Sequence, residues 1–187
     1  MQRYEFEIHS SHHRVRSSLY GLSREICPGS EVYLIAPGGE RKALGHLSYR
    51  AVVNLCVATT DYTFKNYTDG RSEDIRKCID LAAQWVLDAS SVSKKSLNFS
   101  VQSVNVSNFA ETPSQYALWD AVRATIDFIC ADPFRGYVWA ARDVAWAGGA
   151  AAKNAEATWT KKDAEYIRQG SFILDYLNSG SNLFHLD

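Results

Sequence analysis

The sequence predicts a mainly α (α+β) fold, a helical bundle of about five to six helices with a small N-terminal antiparallel strand pair. Three observations carry the prediction. Period-two alternation of apolar and polar residues is confined to the N-terminal part, at Tyr4-Glu5-Phe6-Glu7-Ile8 and Glu31-Val32-Tyr33-Leu34-Ile35-Ala36. Beyond residue 71, apolar residues recur at helical spacing instead. Helix-start chemistry also recurs there, at Thr112-Pro113-Ser114-Gln115 and Thr160-Lys161-Lys162-Asp163. At 187 residues the length fits a single domain, with residues 1–60 containing the strands and 61–187 the helices.

The two alternating runs read as half-buried strands. Between them, HSSHHRVRSS is polar and basic, a loop or a helix start, and Cys27-Pro28-Gly29-Ser30 has turn chemistry. Pro37-Gly38-Gly39 closes the second strand. Residues 44–60 fit two descriptions. RAVVNLCVATT has the β-branched residues of a strand, yet Leu47, Ala51, Leu55 and Ala58 recur as in a helix. Residues 61–70 read as a loop.

Residues 71–88 form an amphipathic helix, because Ile75, Cys78, Ile79, Ala82 and Val86 share one face, with Ser72 or Asp69 as cap. A polar, valine-rich helix is expected from Ser93 to about Phe109. Residues 112–160 then read as two helices joined at Asp132-Pro133. Thr112, Pro113 and Gln115 make a capping box, and Trp119, Val122, Ile126, Ile129 and Cys130 form an apolar stripe. The second helix has a small-residue face of Val138, Ala141, Ala145 and Gly148 or Gly149, and its glycine pair marks either a helix end or a tight crossing. These patterns make burial the expectation for most tryptophans of the stretch. The last helix carries Ala164, Ile167, Phe172 or Ile173, Leu174 and Leu177, and the tail offers Leu183, Phe184 and Leu186 for docking or fraying.

Composition narrows the function classes. Hydrophobic residues at 46% and charged residues at 22% are ordinary for a globular chain. A net charge of −1 disfavours a general polyanion binder, so nucleic acid is not the expected partner. No uninterrupted apolar run is long enough to span a membrane, and MQRYEFEIHSSHHRVR lacks a signal-peptide core. Together with four dispersed cysteines that suit a reducing compartment, this predicts a cytoplasmic protein.

Motifs for chemistry are sparse. His9, His12 and His13 offer metal-ligand types, but no third ligand falls at metal spacing, and no metal is assigned. His46 and Cys56 are the nearest base–nucleophile pair, and nothing like GxSxG appears. PGGERKAL lacks the GK[ST] ending of a phosphate loop, so no cofactor is assigned. The basic set His12, His13, Arg14 and Arg16 offers a contact for phosphate or an acidic partner. It supports an alternative reading as a small enzyme or a nucleotide- or metal-binding protein.

The candidate partner-binding residues lie in the central helices. Asp120, Arg123 and Asp127 follow one another at i, i+3 and i+7, which places them on one face where they can pair. Arg142 and Asp143 stand between Trp139 and Trp146, themselves seven apart and nearly on one face. A solvated face with weak surface pairs is the plain reading. A recognition surface is the sharper one, because Trp and Arg dominate binding hot spots. A homo-oligomer is also conceivable, through the small face at Ala141, Ala145 and Gly148.

At CIDLAAQWVLDASSVSKKSL and again at YVWAARDVAWAGGAAAKNA the chain resembles Ala/Trp-rich helical proteins of the bacterial toxin-immunity and phage type. The shared pattern, over about residues 75–157, is an amphipathic helix ending in Trp, a Ser-rich break, and Ala-rich helices with repeated Trp. Residues 96–108 depart from it. The resemblance carries over no catalytic residue. It implies a protein that works by binding another protein, and the leading expectation is an inhibitor that blocks its partner by occlusion.

Overall fold

A computed structural model describes residues 5–70, 72–131, 139–156 and 158–179. These contain a four-stranded sheet and eight helices: β1 (Glu5–His9), β2 (Arg14–Ser18), α1 (Leu22–Glu25), β3 (Ser30–Ile35), β4 (Arg41–Leu47), α2 (Tyr49–Tyr67), α3 (Glu73–Leu87), α4 (Lys94–Ser103), α5 (Val106–Phe109), α6 (Pro113–Cys130), α7 (Ala140–Glu156) and α8 (Trp159–Ser179). The fold is mainly helical with an antiparallel sheet, as the sequence predicts, and two strands more than predicted.

The expected strand pair is the centre of that sheet. β1 and β3 pair antiparallel from Glu5 opposite Ile35 to His9 opposite Glu31, within the order β2-β1-β3-β4. Alternation puts Phe6, Ile8 and Val32 into the core and Glu5, Glu7 and His9 on the other face. The polar run after β1 is a hairpin rather than a loop or helix start. Ser10 Oγ accepts the backbone N–H groups of His12 and His13, and β2 returns along β1. β4 is the other addition, reached through a turn in which Gly39 takes φ 83°.

The ambiguity of residues 44–60 has a structural cause. Residues 51–60 are all buried, so α2 shows no polar stripe to betray its helical period. It is a central helix touched by α3, α6, α7, α8 and β4. Ser48 caps it by accepting the Ala51 N–H at 3.2 Å. Thr60 and Thr63 return their hydroxyls to the carbonyls four residues back, which lets polar β-branched residues sit inside a buried helix. At its start, the Tyr49 hydroxyl donates to the Phe128 carbonyl at the far end of α6.

α3 begins after Ser72, which accepts the Ile75 N–H, and ends at Leu87. The expected single helix over residues 93–109 is two: α4 stops at Ser103, and Asn105 caps α5 by accepting the Ser107 N–H. α6 carries its capping box as predicted, with Gln115 N–H to Thr112 Oγ1 and Thr112 N–H to Gln115 Oε1. Its packing against α7 is the most extensive between any two elements, and Ser114 Oγ donates to the Ala151 carbonyl, which makes the pair antiparallel. Asp132-Pro133, Arg135, Val138 and the tail residues Leu183, Phe184 and Leu186 lie outside the described residues.

Gly148 and Gly149 mark a tight crossing, since α7 continues to Glu156. A Cβ on Gly149 would stand 2.8 Å from the Tyr166 ring of α8, and one on Gly148 2.9 Å from Gln169 Nε2. The small face at Ala141, Ala145 and Gly148 is thus covered by this chain's own α2 and α8 and is closed to a second copy. The same crowding explains the tryptophans. Small residues fill α7's inner face, so Trp146 is displaced outward and is 48% exposed; Trp159, at the start of α8, is 63% exposed, Trp139, just before α7, is half-buried, and only Trp119 of that stretch is buried.

Candidate functional site

α6 and α7 enclose an open groove of about 660 Å3 between their outward edges. Asp120, Arg123 and Asp127 line it from α6, Asp143 and Trp146 from α7, and alanines of both helices supply the rest. Five of the seven candidate residues therefore meet in one place, because helical spacing and an antiparallel helix pair bring two predicted faces together. Arg142 and Trp139 stand beside them. The Arg142 guanidinium is 5.0 Å from the Trp139 ring centre and 5.1 Å from that of Trp146, a cation held between indoles three residues before and four after it. Trp139 in turn packs against the His13 imidazole at 4.9 Å.

The charges of the groove differ from expectation in one respect. Asp120, Arg123 and Asp127 share a face but make no ion pair or side-chain hydrogen bond with any described residue. An exposed pair gains at most about 1 kcal/mol, which the entropy of holding two long side chains cancels. Asp143 reaches Arg142 Nε only at 3.9 Å, and partial burial raises its carboxyl above the usual aspartate range. The groove thus holds three aspartates, one arginine and a half-exposed indole.

A second polar assembly, invisible in the sequence reading, lies inside the molecule. Glu165 and Gln169 of α8 are buried where hydrophobic residues are expected, while Ile167 is 47% exposed. Arg168 Nε donates to Glu165 Oε2 at 2.7 Å, and Tyr67 Oη donates to the same oxygen at 2.7 Å. Gln169 Nε2 donates to Glu165 Oε1 at 2.8 Å, and Ser23 Oγ to Gln169 Oε1 at 2.9 Å. Burial, followed by the bond to Glu165, pushes the Tyr67 phenol well above its ordinary range. The available signal was the i, i+3, i+4 spacing of Glu165, Arg168 and Gln169. Every polar group of Glu165 is occupied from within the chain, so the assembly fastens α8 to α2, α7 and α1.

The N-terminal basic segment is divided by its hairpin. Arg14 Nε donates to Glu7 Oε1 at 2.7 Å and Arg41 Nη1 at 3.1 Å, His9 bonds the same oxygen, and Arg16 lies 3.9 Å from Oε2. The His9 bond above all, then Arg14 and Arg41, holds Glu7 at a pKa of about 2 against burial that raises it. His12 is exposed, and His13 turns the other way, to Ser10, Glu25 and Trp139. The strand–turn–strand path points His9 to Glu7 and His13 away from it, so the three histidines do not converge. His46 is exposed on β4, whereas Cys56 is buried in α2 with its thiol pushed up to about 12, a poor nucleophile. No described helix is long and apolar enough to cross a membrane. The chain matches no protein-family model, no curated protein and no solved structure.

Proposed function

We propose that this chain is a cytoplasmic binding protein that blocks a partner protein by occlusion, of the toxin-immunity or phage-encoded inhibitor kind. The observation that carries the reading is the α6–α7 groove, where a half-exposed Trp146, braced by Arg142, faces Asp120, Arg123 and Asp127, whose side chains have no ion-pair or hydrogen-bond partner among the described residues. An exposed tryptophan beside arginine is the composition of interface hot spots. Unpaired charges around it form the polar rim that selects a partner. Four free cysteines, three of them buried, fit a reducing compartment. The alternative, a nucleotide- or metal-binding protein using the N-terminal His/Arg segment, has less support, because His9, Arg14 and Arg41 converge on Glu7 instead of standing free.

The test is differential capture with wild-type chain and Trp146→Ala and Arg142→Glu variants. A partner enriched by wild type, reduced by about tenfold or more in both variants, and inhibited when purified wild-type chain is added supports the reading. Helical circular dichroism must match wild type. A partner retained equally by both variants, or one bound without loss of activity, overturns it.

A further inference from the structure

Resting on the groove reading, we propose that its occupant is an arginine-bearing basic segment of the partner protein, with a guanidinium seated against Trp146 and among Asp120, Asp127 and Asp143. Two independent features of the groove point to a cation. The first is charge: three carboxylates face a single lining arginine, Arg123, and two of the three have no described partner at all. An acidic segment would meet those carboxylates as like charges. A purely apolar one would strip their water and return no hydrogen bond.

The second feature is the stack of rings and cations. Trp139, just before α7, and Arg142 and Trp146 within it alternate as ring, cation and ring, and the last indole lines the groove with about half its surface uncovered, at 48%. A further cation on Trp146 continues that alternation by one layer. Asp143 lies beside Arg142 and offsets the repulsion between the resident cation and the incoming one. Arginine suits the place better than lysine, since its planar guanidinium stacks on an indole while bonding a carboxylate with two parallel N–H groups. The volume of about 660 Å3 lies within the range of ligand clefts, roughly 300–1,000 Å3, and accommodates several neighbouring side chains of a segment.

The experiment titrates the full chain with a short arginine-rich peptide, its citrulline counterpart, which keeps the shape and loses the charge, and a glutamate-rich peptide of equal length, by calorimetry. Wild type is expected to bind the arginine peptide alone. The triple variant Asp120→Asn, Asp127→Asn, Asp143→Asn is expected to lose about tenfold or more in affinity, each partly exposed charge contact being worth roughly two- to fivefold. A control triple variant, Glu40→Gln, Asp163→Asn, Asp175→Asn, makes the same change in net charge at exposed positions outside the groove and is expected to bind like wild type. Trp146→Ala, at a half-exposed position, provides a second groove variant that retains the fold, with an expected loss of similar size.

Equal binding of the arginine and citrulline peptides, equal loss in the two triple variants, or no binding of the arginine peptide overturns this inference. If a partner is still captured through Trp146, the binding-protein reading survives that failure. If no captured partner depends on the groove while the arginine peptide does, the basic occupant stands and the inhibitor reading falls.

Discussion

Glu7 is a carboxylate on which one imidazole and two guanidiniums converge, with a third close by, and its negative charge is what gathers them on the sheet's outer face. Its pKa falls from the ordinary 4.5 to about 2 in the folded chain. A depressed folded pKa contributes stability that is fully present above the unfolded value and is lost as pH falls through the folded one. Urea denaturation of wild type and Glu7→Gln is therefore expected to show a stability gap in favour of wild type above about pH 4.5, narrowing to nothing as pH falls to about 2. A gap independent of pH would mean the carboxylate's charge is not what stabilises. The Glu165 assembly makes a different demand. Removing Arg168 strands a carboxylate that is 1% exposed, so Arg168→Met is expected to cost about 3–5 kcal/mol in chemical denaturation. Glu165→Gln combined with Arg168→Met is expected to recover much of it. Neither assembly was legible beforehand, because a charged residue in an alternating strand or a helical pattern reads as solvent-facing. Whether a partner arrives, as Tyr67 does for Glu165 from 98 residues away, is a tertiary fact.

At the scale of elements, legibility followed how much of the stabilising chemistry was local. α6 was readable because its start is written in four adjacent residues, and α3 because its cap and apolar stripe are contiguous. α2 was not, since complete burial erases the periodicity that distinguishes helix from strand. β2 and β4 were hidden because edge strands keep polar residues on both faces, as in RVRSS. Close crossings also set element positions. Gly170 of α8 passes so near Leu19 that a Cβ would lie 2.2 Å from the Leu19 carbonyl oxygen, a backbone atom with little room to retreat. Gly170→Ala is expected to destabilise by about 1–3 kcal/mol, measured as a shift in thermal or urea midpoint. Gly38→Ala, with nothing within 4 Å, serves as the neutral comparison, within about 0.5 kcal/mol.

At the scale of the molecule, the candidate site was more legible than much of the fold. Asp120, Arg123, Asp127, Asp143 and Trp146 meet because faces on successive antiparallel helices are set by residue spacing alone. What spacing did not reveal is the lateral connection, with His13 of the N-terminal hairpin laid against Trp139 so that two segments read separately adjoin. Nor did it reveal that the α7 glycines serve this chain's own core and offer no surface to a second copy.

The burial of residues 51–60, the middle of α2, on every side has a consequence for how the chain is made. A helical segment with no polar stripe has no stable home until its neighbours exist, and those neighbours include α7 and α8, which follow it by up to about a hundred residues. At about 5–20 residues per second, a ribosome leaves this apolar segment uncovered for on the order of 5–20 s. The newborn chain is thus expected to gain from chaperones that shield apolar segments, which a higher soluble yield on chaperone co-expression would show and an unchanged yield would refute.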